Sequence, residues 1–186
     1  MDYPKLISAK ALPDYHLELE FGKKHERRIY DFRKNLTHPA FQCLRDESVF
    51  NLVQVVDGRI MWPDHSDFSS HSLYEGSVPI SVYPALILIQ ESILSVVPQT
   101  EVIYLFGSYA KNTATADSDL DIYVVVADSL PGNPMDKCVD IRLQLFGKLY
   151  IPLDLIIQHS AVFRDRKKYP TIENVVANEG RILYAA

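Results

Sequence analysis

The sequence holds little of what marks a special class of protein. It has no long, uninterrupted apolar run. The most hydrophobic stretch, residues 80–97, carries Pro84, Gln90 and Glu91 within it, whereas a membrane span needs about 20 predominantly apolar residues. From Pro84 onward it reads as a packing helix, because proline is accommodated in a first turn and Leu86, Ile89, Ile93 and Val97 recur at helical spacing. No membrane partner is expected. Cysteine is scarce: Cys43 and Cys138 lie far apart and in no metal-ligand spacing, which excludes a disulfide scaffold and a zinc module. The opening MDYPKLISAK has an acidic second residue and no apolar segment of the kind a secretory signal needs, so a reduced, cytoplasmic protein is expected. Positive charge is short too, with 19 Lys and Arg against 24 Asp and Glu. That balance excludes a chain that grips nucleic acid over its whole surface, and nucleic acid is not expected as a partner.

What is present suits a globular protein. Apolar residues make up 47% of the 186, enough for one or two domains. The first seventy-odd residues read as strands and turns. Residues 15–21 (YHLELEF) alternate, with Leu17, Leu19 and Phe21 on one face. GKKHE follows as a turn and RRIYDF as the return strand of a hairpin. Residues 41–50 read as one short helix. Residues 51–64 read as a second hairpin around Asp57-Gly58, closed where Trp62-Pro63 ends the ladder. Residues 65–79 (HSDFSSHSLYEGSVP) are rich in Ser, Gly and Asp and read as a linker.

Past that stretch the rhythm changes. The pattern predicts helix 84–97, strands 102–106 and 120–126, helix 135–147, strand 153–157 and a helix over about 171–179, arranged around a mixed sheet. Two domains are therefore expected, a β-rich one over 1–76 and an α+β one over 84–186.

The chemistry concentrates in LFGSYAKNTATADSDLDIYVVV, residues 105–126. Gly107-Ser108 follows an apolar strand and can open a short helix whose free N–H groups suit a phosphate. Strand–Gly–Ser–helix junctions are common, and a plain capped turn fits as well. Asp119 and Asp121 alternate with Leu120 and Ile122, so the two carboxylates share one face of a strand. Such a pair repels itself unless a cation lies between, and hard oxygens suit Mg²⁺. Two solvated strand-end aspartates are the plain alternative. Asp154 shifts the balance. It stands among Pro152, Leu153, Leu155, Ile156 and Ile157, where a carboxylate is costly unless paired or ligated. If its strand lies beside 120–126, three carboxylates meet next to the Gly-Ser turn, the makeup of a metal-assisted phosphoryl or nucleotidyl transfer site.

Gly107-Ser108, ten intervening residues and Asp119-Leu120-Asp121, with Asp154 downstream in PLDLII, resemble the signature of the DNA polymerase β-like nucleotidyltransferases. The short form, and the ending ENVVANEGRILYA, are similar to their minimal prokaryotic members. The resemblance covers roughly residues 84–186. It implies two Mg²⁺ ions held by Asp119 and Asp121, with Asp154 on the ion that activates the acceptor and serving as the candidate base. It implies ATP as the substrate, with Gly107 and Ser108 cradling phosphates, and Lys111 and Ser118 beside the nucleotide. Where the group often has Arg-Gly, this chain has Lys111-Asn112; asparagine tolerates the unusual backbone angle that glycine does. Residues 1–76 resemble a small uncharacterised β-rich bacterial domain, which implies binding or regulation only.

Three functions follow. The leading one is adenylyl or nucleotidyl transfer to a protein or small-molecule hydroxyl; in this group the enzyme can act as antitoxin towards a small helical toxin. The second is an aminoglycoside-type drug nucleotidyltransferase, although those enzymes add a helical domain for which the residues after Asp154 leave no room. The third is a binding protein on a degenerate transferase fold, which three intact aspartates argue against. Other candidates have plainer readings. FRDRKKYP (163–170) is a solvated basic surface. Asp64, His65, Asp67 and His71 have no ligand spacing. Tyr109 either packs beside the nucleotide or is structural.

Overall fold

The alternating strands of the first half fold as a meander. The computed structural model describes residues 3–22 and 24–186 and divides into two units, one ending at Tyr83 and the other Pro84–Ala186. In the first, β1 (Leu6–Leu12), β2 (His16–Phe21) and β3 (Glu26–Asp31) pair antiparallel in sequence order. Leu17, Leu19 and Phe21 are fully buried, as the alternation predicts, while Glu18 on the other face pairs with Arg27 across the ladder. Lys23, in the expected turn, lies outside the described residues.

The single helix expected over 41–50 is instead two pieces. A 3-10 helix, Pro39–Arg45, stops at Asp46, and α1 (Glu47–Phe50) starts there. Asp46 is extended and its carboxylate accepts the Ser48 N–H at 2.9 Å, a cap that favours restarting over continuing. The Asp57-Gly58 hairpin forms between β4 (Gln54–Val56) and β5 (Arg59–Met61). Both turn residues are left-handed, at φ 50° and 78°, which matches a two-residue hairpin loop to the twist of its strands. β6 (Asp67–Phe68) completes this small sheet.

Residues 65–79 are not a linker. Ser69 caps α2 (Ser70–Gly76), and β7 (Val78–Pro79) pairs with β3. The composition misled because the helix is short and mostly solvated; Leu73 alone anchors it, fully buried. The first unit consequently runs beyond residue 76.

The second unit opens with α3 (Tyr83–Val96), which buries Leu86, Ile89 and Ile93 at the expected spacing. Then come β8 (Thr100–Phe106), the single turn α4 (Gly107–Ala110), β9 (Leu120–Val126), α5 (Lys137–Leu145), β10 (Leu153–His159), α6 (Ser160–Arg166), α7 (Ile172–Glu179) and β11 (Arg181–Ala185). The sheet is mixed, in the order β10-β9-β8-β11, with only β9 and β10 parallel. α6 and β11 add to the predicted elements. α6 has one well-buried apolar side chain, Phe163, amid Arg164, Asp165 and Arg166, so its helical period was faint. No helix among the described residues is long and apolar enough to cross a membrane.

The two faces of this sheet differ. Leu120, Ile122, Val124 and Val126 share one face with Leu155 and Ile157, all buried. On the other, Tyr123 and Val125 pack with Phe106, Phe163 of α6 and Val176 of α7. Glu173 of α7 is buried beneath them, accepting from the Tyr123 hydroxyl at 3.1 Å and paired with Arg166 at 3.1 Å.

Candidate active site

The three aspartates meet because of strand register. β9 and β10 run parallel with Asp154 directly beside Asp121, and across the antiparallel neighbour Phe106 stands opposite Asp121. Asp121 has the same strand parity as Tyr123, so its carboxylate emerges on the α6–α7 face at the start of β9. Asp119 immediately precedes the strand, exposed, and Asp154 is exposed on β10.

Gly107 shapes the floor. Its φ of +67° is left-handed, and a β-carbon built there would land on the Asp121 carboxylate. Only glycine lets the β8–α4 turn pass under that carboxylate. The Ser108 N–H donates to Asp121. Thus the turn expected to bind phosphate through its N–H groups already spends one on an aspartate.

The electrostatics are those of crowded negative charge. Burial pushes the Asp121 carboxyl above the usual aspartate range, and the charges of Asp154 and Asp119 push it further, against the Ser108 hydrogen bond. The ion pairs of this unit, Lys111–Glu179, Arg164–Asp128, Arg166–Glu173 and Lys168–Asp165, leave out all three aspartates. Among the described residues no three acidic, His or Cys side chains are gathered closely enough to cage an ion by themselves. The donor set nevertheless fits a hard divalent cation of the Mg²⁺ type, which takes one or two carboxylates and fills its remaining positions with water and substrate phosphates.

The other expected residues have definite places. Lys111 ends α4, and its ammonium is 2.7 Å from Glu179 at the end of α7. Asn112 takes φ +58°, the angle that lets it stand where glycine often does. Ser118 braces the loop before Asp119: its hydroxyl accepts the Thr115 N–H at 2.9 Å, and its own N–H returns to the Thr115 carbonyl at 3.2 Å. Tyr109 is buried. Sequence reasoning missed Thr113, whose N–H closes the loop onto the Ser108 carbonyl at 3.0 Å, and the loop-bracing role of Thr115. The Thr-x-x-Ser spacing was the available signal for the latter. It also missed Glu179, for which no local signal exists.

A family model described as polymerase beta, nucleotidyltransferase, matches residues 90–186. A protein of Methanocaldococcus jannaschii named "Putative protein adenylyltransferase" is 33% identical over 82 residues, which cover 44% of this chain and 76% of that one. Among solved structures, a toxin–antitoxin with AMP-PNP is 24% identical, covering 54% of this chain and 73% of that chain at a TM-score of 0.40. One described as "a putative nucleotidyltransferase from Sulfolobus solfataricus" is 23% identical, covering 56% and 84% at a TM-score of 0.40. Since the family model spans more than half of the chain, and the curated relative is matched over most of its length, this chain belongs to the polymerase β-type nucleotidyltransferases and is an enzyme of that class.

Proposed function

We propose that the chain transfers the adenylyl group of ATP to a hydroxyl on a protein, with Mg²⁺ held by Asp119, Asp121 and Asp154. The observation that carries this reading is the in-register placement of Asp154 beside Asp121, over a glycine turn that no side chain can fill. A bound Mg²⁺ would supply charge neutralisation for the triphosphate and the departing pyrophosphate. The chain's residues do the rest. The Gly107–Ser108 turn lets phosphate oxygens approach the backbone. Asp154, on the edge strand of the sheet, holds the acceptor hydroxyl and takes its proton on a carboxylate oxygen. The freed oxygen bonds to the α-phosphorus, and the bond to pyrophosphate breaks. Lys111 reaches the phosphates by leaving Glu179; both are half-exposed, and a surface pair of this kind holds a side chain weakly.

A protein acceptor is favoured over an aminoglycoside because the curated relative is named for protein adenylylation and few residues follow Asp154 to build a drug pocket. A small helical toxin, with this chain as its antitoxin, is one acceptor of that kind; co-expression followed by mass measurement of the toxin tests it, an added adenylyl mass being the expected result. The broader test is transfer of label from α-labelled ATP in the presence of Mg²⁺. Asp119→Ala and Asp121→Ala should abolish it with the fold intact, and unchanged transfer in either variant sinks the reading.

A further inference from the structure

α5 is apolar on both sides. Cys138, Ile141 and Leu145 face the sheet and are buried. On its outer side Val139 and Leu143, one turn apart, are exposed, and beyond the helix end Phe146 and Tyr150 are 86% and 91% exposed. Water-facing aromatics this bare are unusual on a monomer unless they meet something. Beside them lies a groove of about 290 Å³ lined by Arg142, Leu145, Leu149, Ile151 and Leu153. It runs to the start of β10, whose second residue is Asp154. Tyr150 is four residues before Asp154, so chain reach alone keeps their Cα atoms within about 14 Å.

We propose that this surface docks the acceptor, and that the acceptor is a protein carrying an exposed apolar patch. The inference rests on the transfer reading above and narrows its substrate class. The footprint is long, running from Asp154 past the end of α5 and along its outer side, which suits a macromolecule. Its lining is apolar with Arg142 as its charged member. A polycationic aminoglycoside needs acidic walls and finds none in that groove. Aromatic side chains with an arginine among them are the usual anchors of a protein interface.

The test compares the whole chain with Phe146→Glu and Tyr150→Glu, and with the milder Phe146→Ala. Each is incubated with α-labelled ATP, Mg²⁺ and an extract of the organism that encodes it. Label is then counted separately in acid-precipitated protein and in the small-molecule fraction, and binding of ATP with Mg²⁺ is titrated in parallel. The expected result is label in protein, reduced at least ten-fold by either glutamate and several-fold by alanine, with nucleotide binding unchanged. Equal protein labelling by the variants overturns the docking surface and leaves the transfer reading standing. Label confined to small molecules overturns the protein acceptor. Sedimentation showing a wild-type dimer that Phe146→Glu splits, with protein labelling unaffected, assigns the surface to a second copy and also overturns it. Nucleotide bound but label found in neither fraction overturns the transfer reading itself, and the acceptor surface with it.

Discussion

The first unit fills its interior with rings. Phe32 packs against Phe41, Phe50, Trp62 and Phe68, with centroids between 5.2 and 5.7 Å apart, and the Trp62 N–H donates to the Phe50 carbonyl at 2.9 Å. The second fills one face of its sheet with branched aliphatic side chains from β9 and β10 and reserves the start of those strands for carboxylates. The charges of the first unit are mostly spent in pairs, such as Arg33 with Asp31 and Asp14, and buried Arg28 with Glu26 and Ser77. In the second, three acidic groups stand together without a basic partner. Small domains use aromatic packing to reach stability with few residues. A parallel strand pair, in contrast, delivers side chains from distant parts of the sequence to one edge. The contrast separates a unit built to hold a shape from one that gives up some stability to hold charge.

The largest expected effect breaks the chemistry and spares the fold. Asp154→Ala should lower transfer by about a thousand-fold or more, since it removes both acceptor orientation and a metal ligand; thermal melting beside the label assay should show little change. Phe32→Ala attacks the opposite unit and should cost about 3–5 kcal/mol of its stability, read from denaturant unfolding. A biphasic curve in which only the first phase moves would show that the two units unfold independently. Glu173→Ala leaves the buried Tyr123 hydroxyl without its acceptor and should cost about 1–3 kcal/mol. Gly107→Ala combines about 1–2 kcal/mol of left-handed backbone strain with displacement of Asp121, so melting and transfer should fall together.

The smallest effect has the opposite sign. The folded-state pKa of Asp121 is raised, by burial first and then by Asp154 and Asp119, so the folded protein holds that proton more tightly than the unfolded chain does. The penalty is absent below the unfolded aspartate pKa and sets in as pH rises through the folded one. Asp121→Asn should therefore raise the melting temperature slightly at neutral pH, with no such gain at low pH, while transfer is lost. A lower melting temperature at neutral pH would argue that the site's charge is already relieved within the chain.

Some of this was readable from residues alone. Leu17, Leu19 and Phe21 declared their face by alternation, and Asp57-Gly58 declared a hairpin, because local sterics fix both within a few residues. The order Gly107-Ser108, Asp119, Asp121, Asp154 declared a candidate transfer site. The linker reading failed because one buried leucine and one serine cap suffice to hold α2 in place, and neither stands out in a polar stretch. α6 was faint for a similar reason.

The sequence by itself determined which groups are available and which strands carry them, since periodicity and turn chemistry act over a few residues. Only the tertiary structure decided that Asp154 lies in register with Asp121, that Gly107 passes beneath that carboxylate, that Lys111 rests on Glu179, and that Phe146 and Tyr150 stay bare beside the site. Those outcomes depend on strand pairing between segments some thirty residues apart, where burial of the whole sheet, and no local preference, selects the partner.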